Sequence, residues 1–137
     1  MNNSENSIKV VQDYFKAFQN GDIDNVLNLF HDNCLIVSVK DQEREKEQLH
    51  GTYRTKEEAT QFIANIINLF NTKEFVVERV VGNENVVFAN GKFTHEVKAT
   101  GKLFVSDWTQ LSIIEDNKIK EYRFYEDSAA FVIASEA

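Results

Sequence analysis

A chain of 137 residues with 42% hydrophobic and 27% charged side chains has the make-up of a folded domain, which excludes a disordered or fibrous polypeptide. Fifteen Lys and Arg against 22 Asp and Glu leave a net charge of −7, a poor balance for gripping phosphates or an anionic membrane, so neither nucleic acid nor a membrane is an expected partner. The lone Cys34 excludes an internal disulfide or a Cys-based zinc site, and proline is absent. No apolar run approaches the roughly 20 residues of a membrane span. The opening Met-Asn-Asn-Ser-Glu-Asn lacks the basic and apolar regions of a signal peptide, so a cytoplasmic location is expected.

Residues 1–6 are expected to form a flexible N-terminus on a single domain that has no linker or repeat. Ile8, Val11, Phe15 and Phe18 recur at steps of three and four, which predicts a helix over residues 7–19. Asn20-Gly21 supplies its stop, because glycine accepts the left-handed conformation at a helix C-terminus. Asp22 is placed to cap a second, short helix that buries Ile23, Val26, Leu27 and Phe30. Cys34 to Val39 reads as a strand, and the charged residues 40–50 as a solvated loop. Thr55 and Glu58 have capping-box spacing ahead of a third helix that carries Phe62, Ile63, Ile66, Ile67, Leu69 and Phe70. Strands then follow over Phe75–Val81, Val86–Val97, Leu103–Glu115 and Lys118–Glu126, broken at Gly82-Asn83, Thr100-Gly101 and Asp116-Asn117. Ser128–Ala134 reads as a closing helix. Helices first and antiparallel strands second predict an α+β fold with the helices on one face of a bent sheet.

A two-residue turn at Asp116-Asn117 sets Glu115 opposite Lys118, and hence Leu111 opposite Tyr122, Thr109 opposite Phe124 and Asp107 opposite Glu126. Centring the preceding hairpin on Gly101 sets His95 opposite Asp107 as well. Because side chains alternate along a strand, His95, Asp107 and Glu126 then share a face with Ala89, Phe93, Leu111, Ile113, Tyr122 and Phe124, the composition of an apolar pocket wall. The opposite face carries Lys92, Thr94, Glu96, Ser106, Gln110 and Arg123, with Phe104, Trp108 and Tyr125 among them, a wetted surface with an aromatic dimer patch. Two carboxylates and an imidazole on one wall disfavour double ionisation and favour His95 as a cation. Such a set suits general acid–base work on a neutral substrate. No His/Asp/Glu spacing suggests a metal site, and no phosphate-cradling glycine loop or dinucleotide fingerprint occurs, so neither metal nor cofactor is expected.

Val10-Val11-Gln12-x-Tyr14, Asn20-Gly21-Asp22-Ile23-Asp24 and Leu29-Phe30-x-Asp32 resemble the opening of NTF2-like proteins, especially their ketosteroid-isomerase and SnoaL-like branches. Gly51-x-Tyr53-x-Thr55-x-Glu57, Trp108-Thr109-Gln110, Glu115-Asp116-Asn117-Lys118-Ile119 and Tyr125-Glu126-Asp127 extend the resemblance over nearly the whole chain. It implies a cone of three N-terminal helices packed on a curved, mostly antiparallel sheet, an apolar pocket at one end, and a homodimer through the outer sheet face, here Phe104, Trp108 and Tyr125. Carried across from the isomerases, Tyr14 falls on the oxyanion-hole tyrosine, Ser38 on the general base and Thr109 on the second oxyanion donor. Ser38 cannot act as a base, so strict steroid isomerisation is not expected. SnoaL-like cyclases are similar in using an acid–base aspartate, matched here by Asp107. The related epoxide hydrolases use two carboxylates bridged by an arginine, and Arg123 has the outward parity.

The candidate catalytic residues are therefore Asp107, His95, Glu126 and Tyr14. The candidate pocket residues are Ser38, Tyr53, Phe93, Thr109, Leu111, Tyr122 and Phe124. Three functions stay open: acid–base catalysis (isomerisation, cyclisation or epoxide opening) on a small apolar molecule, non-catalytic binding of a hydrophobic ligand, and a dimeric interaction domain whose pocket is filled by its own side chains.

Overall fold

The computed structural model describes residues 3–137. Helix α1 (Asn3–Gln19) starts a full turn before its apolar period does, so residues 3–6, expected to be flexible, are helical. Its buried face is Val10, Val11, Tyr14 and Phe15, with Ser7 and Ala17 beside them. Gly21, at φ +69°, ends the helix in the left-handed conformation. Asp22 caps α2 (Ile23–Asn28) as expected, its Oδ1 accepting the Asn25 N–H. Strand β1 (Phe30–Ser38) leads into residues 39–50, after which β2 (Gly51–Arg54), unforeseen in the sequence, pairs antiparallel with β1.

Helix α3 (Thr55–Leu69) lacks the expected capping box. Thr55 sits at φ +69°, and Glu58 accepts the N–H of Arg54 at 2.7 Å, one residue earlier than the box requires. Phe70, counted with the helix, is instead the first residue of β3 (Phe70–Asn83). Strands β4 (Val86–Val97), β5 (Leu103–Glu115) and β6 (Lys118–Glu126) follow, and α4 (Ser128–Ser135) closes the chain behind its cap Asp127. The sheet runs β2-β1-β6-β5-β4-β3; β1 and β6 are parallel and every other neighbouring pair is antiparallel. Helix α1 packs on β3 and α3 on β1, so the curled sheet closes around Tyr14, Phe15, Phe62, Phe93, Phe104 and Trp108. No helix among the described residues is long and apolar enough to cross a membrane.

The strand register departs from the sequence reading at two places. Gly101, at φ +74°, is not the centre of the β4–β5 connection but lies near its end. The Val97 carbonyl accepts the N–H groups of both Thr100 and Gly101, while the Val97 N–H donates to the Lys102 carbonyl. His95 therefore faces Phe104, and Asp107 faces Lys92. At the next hairpin Asp116 and Asn117 both have positive φ and set Glu115 opposite Lys118 as expected. Lys120 then bulges out, so that Ser112, not Leu111, faces Tyr122.

Each slip reverses β5 against a neighbour, and the two cancel between β4 and β6. His95 and Glu126 remain on one inner face, while Asp107 turns outward and is exposed. Thr109 and Leu111, expected in the pocket, are on the outer face too. Phe104 and Trp108, expected on the outer face, are 0% and 1% exposed inside the cone. Of that expected aromatic patch only Tyr125 reaches solvent.

Candidate functional site

Aromatic rings stack along the inner wall. Phe70 lies over His95 with ring centres 4.5 Å apart, and His95 over Phe93 at 4.2 Å. Phe75, Trp108, Phe124 and Tyr122 continue the stack. Between this wall and helices α1 and α3 lies a narrow cavity of about 40 Å³. A water needs roughly 10–15 Å³ of such space, so the cavity holds only a few waters. Ligand sites are usually about 300–1,000 Å³. At its outer edge, formed by Phe18, Ile66, Phe70 and Phe75, the cavity meets a surface groove of about 620 Å³.

The polar groups of the cavity are few. Glu126, at the end of β6, has a side chain only 5% exposed, and its Oε1 lies 3.1 Å from Nε2 of His50, itself 9% exposed. His50 comes from the stretch expected to be solvated. Leu49 and His50 are in fact buried, Leu49 lining the cavity and His50 packing under Phe131 of α4 at 4.9 Å. The sequence reading missed His50 because no periodicity marks it. The one available signal is Leu49, a lone apolar residue at the end of a charged run.

Tyr14 and Tyr122 face each other, the Tyr14 hydroxyl donating to that of Tyr122 at 3.1 Å. Burial pushes both phenols above the ordinary range; at Tyr122 the neighbouring Tyr14 and the negative charge of Glu126 add to it. Both hydroxyls thus stay protonated and able to donate. Ser38 pairs with Phe124 across the parallel strands and also lines the cavity. Of the residues expected at the site, Tyr14, Ser38, Phe93, His95, Tyr122, Phe124 and Glu126 meet around this cavity. Asp107, Thr109 and Leu111 do not, for the reason of register given above. Tyr53 does not line it either: it is fully buried beneath residues 44–49. Arg123 points outward, as its parity predicts, and donates to Glu121 at 3.1 Å.

His95 is not the cation that the sequence reading favoured. Burial pushes its pKa down to about 4, and its ring Nδ1 lies 3.0 Å from the Thr72 hydroxyl. The unfolded chain takes up a proton at the ordinary value of 6.5, which the folded chain refuses until about 4. The contribution of neutral His95 to stability is therefore fully present above that ordinary value and is lost as the pH falls through this window. The slope for one proton is about 1.4 kcal/mol per pH unit. His95→Phe, which keeps the ring stack, is expected to lose less stability between pH 6.5 and 4.5 than the wild type in urea unfolding; equal losses would refute this.

His31, Glu115 and Asp116 bring their ligand atoms within 4.8 Å of one another. His31 Nδ1 accepts the Asn33 N–H at 3.1 Å, so Nε2 carries the proton that it shares with Asp116 at 3.3 Å. Both ring nitrogens are thereby engaged, and the group offers no free imidazole lone pair to a metal.

The profile of the SnoaL-like domain matches residues 11–122 of the sequence. No curated protein matches it. Among solved structures, an NTF2-like protein of Burkholderia xenovorans LB400 superposes with a TM-score of 0.83 at 20% identity, over 97% of this chain and 98% of that one. A protein of Jannaschia sp. CCS1 assigned to the SnoaL-like polyketide cyclases gives 0.80 at 16% identity, over 100% and 97% of the two chains. An LEH-like epoxide hydrolase of M. tuberculosis gives 0.71 at 14% identity, over 96% and 90%. At such identities the likeness is one of fold, and it agrees with the element order, the curled six-stranded sheet and the helices described above. With the profile covering most of the sequence, the chain belongs to the SnoaL-like domain family and has the NTF2-like fold.

Proposed function

We propose that the protein is an enzyme of general acid–base chemistry acting on a small, uncharged, largely apolar molecule. In this reading Glu126 takes and returns the proton, and His50 holds its carboxylate in place. The observation that carries it is the 3.1 Å contact between two nearly buried side chains, His50 and Glu126, the second of which lines a largely aromatic cavity. Burying two polar side chains costs their desolvation even when they bond to each other, so their contact beside a cavity is better accounted for by use than by folding. The Tyr122 hydroxyl, which already accepts from Tyr14, is free to donate its own proton to a substrate oxygen. A proton that leaves one substrate atom for Glu126 and returns to another leaves no net change, as isomerisation and cyclisation require; epoxide opening would consume a water as well. The SnoaL-like cyclase and the epoxide hydrolase among the solved structures support this class through fold alone.

A binding role without turnover is favoured by Ser38 in the base position, whereas the small cavity of about 40 Å³ favours an interaction domain whose pocket is filled by its own side chains. Incubation with neutral cyclic enones, hydroxyquinones and epoxides separates the enzyme from the binding role. Formation of a product by mass spectrometry supports the enzyme. A ligand that raises the melting temperature, with no product across the panel, overturns it.

A homodimer through the outer sheet face belongs to the same proposal, on residues other than the sequence suggested. Val81 faces Phe88 and Phe88 faces Leu111 across three strands, and Val81 and Phe88 are 58% and 53% exposed. Phe88→Glu is expected to leave far-UV circular dichroism unchanged and to convert a dimer to a monomer in light scattering. A wild type that is monomeric at high concentration would refute this.

A further inference from the structure

The connection between β1 and β2 is held far more firmly than its charged sequence suggests, and the grip lies just before His50. Asn65, on α3 and 2% exposed, places Nδ2 within 3.1 Å of the Lys46 carbonyl, 3.3 Å of the Gln48 carbonyl and 3.0 Å of the Tyr53 hydroxyl. Its Oδ1 accepts from Gln61 at 2.7 Å, which fixes the amide. Tyr53, on β2, takes that hydrogen bond and directs its own proton to the carbonyls of Gln48 at 2.9 Å and Leu49 at 2.8 Å. The Arg44 guanidinium covers the Tyr53 ring at 3.3 Å and donates to the carbonyls of Glu45, Lys46 and Thr52. Gln48 Nε2 donates to the carbonyl of His50 itself at 2.9 Å.

We propose that Tyr53 and Asn65 are positioning residues whose task is to hold the 46–50 backbone so that the His50 imidazole meets Glu126, a role that rests on the acid–base reading of that pair. A satisfied buried polar network specifies one backbone arrangement more sharply than apolar packing does. The carbonyls it fixes, those of Lys46, Gln48 and Leu49, lead directly to His50. Freedom in this stretch would move the imidazole by more than a hydrogen bond tolerates, and a displacement of about 1 Å at a catalytic group can cost about 10²-fold in rate.

The test needs no substrate. In protein labelled with ¹⁵N-histidine, His50 is expected to show an imidazole Nε2–H resonance that exchanges slowly with water, because the proton is buried and held by Glu126. Tyr53→Phe removes one oxygen and keeps the ring beneath Arg44; Asn65→Leu removes the amide. Both are expected to abolish that resonance while the His95 signals and far-UV circular dichroism stay in place. If Asn65→Leu does not fold, Tyr53→Phe decides. A His50 resonance that persists in the folded variants, or that is absent from the wild type, overturns the proposal. Should Glu126→Gln retain turnover while Tyr53→Phe loses the resonance, the catalytic reading fails and the positioning role stands.

Discussion

Glu126→Gln is expected to lower turnover by about 10²–10⁴-fold, the usual worth of a general acid–base group, with little change in the apparent affinity for substrate. The amide has nearly the shape of the carboxylate but cannot take up a proton. Asp107→Asn is the matched control: the residue is exposed on the outer face, opposite Lys92, and its replacement is expected to leave both turnover and stability unchanged. The pair of variants therefore separates two acidic residues that a single register error would exchange. Steady-state kinetics on any substrate found by the panel provides the measurement. Loss of activity in Asp107→Asn with survival in Glu126→Gln would reverse the assignment.

Trp108→Ala is expected to destabilise the fold by about 3–5 kcal/mol, as large-to-small changes in a packed core do. For a chain of this length that is a fall in melting temperature of roughly 10–20 °C. The indole is 1% exposed and lies against Phe15, Phe75 and Phe124. Its Nε1 has no hydrogen-bond partner among the described residues, so Trp108→Phe should retain much of the lost stability, because packing and not polar bonding is what the ring supplies. A tryptophan on a solvent-facing patch would give a change of only about 0.5 kcal/mol. Urea and thermal unfolding of the two variants check both the size and the order; an Ala variant as stable as the wild type would place Trp108 outside the core.

The cavity and the strap around it divide the labour. The inner face of the sheet supplies rings and two protonated phenols, and the β1–β2 connection supplies the imidazole. Helix α4 covers the far side, with Phe131 against both His50 and Phe104, and Asp127 fixes its start by accepting the Ala130 N–H. His50 and Glu126 are thus brought together from segments 76 residues apart that no local pattern connects.

Much of the architecture was legible in the residues themselves. The steps of Ile8, Val11, Phe15 and Phe18 gave a helix, Asp22 a cap, and the runs from Val86 to Glu126 three strands whose ends agree with the structure. These are local signals: a period of 3.6 or 2, a left-handed glycine, a side-chain oxygen placed to take a free N–H. They fixed the type and order of the elements other than the short β2, together with the NTF2-like resemblance, and they put His95, Tyr122 and Glu126 at one wall. What they could not give is register. Gly101 marked a turn without saying that it closes the connection instead of centring it, and nothing marked Lys120 as the residue that bulges. Either displacement sends every side chain of β5 to the other face, which is how Asp107 and Trp108 exchanged places. Nor could the sequence show that a charged stretch would be drawn inward by Arg44, Tyr53 and Asn65 to deliver His50 to Glu126. By itself the sequence determined a helical layer, a bent sheet and an aromatic interior; the tertiary structure alone decided which acid faces that interior and what stands beside it. Alternation and capping depend on neighbours in the chain, whereas register and loop docking depend on hydrogen bonds between residues that only the completed fold brings together.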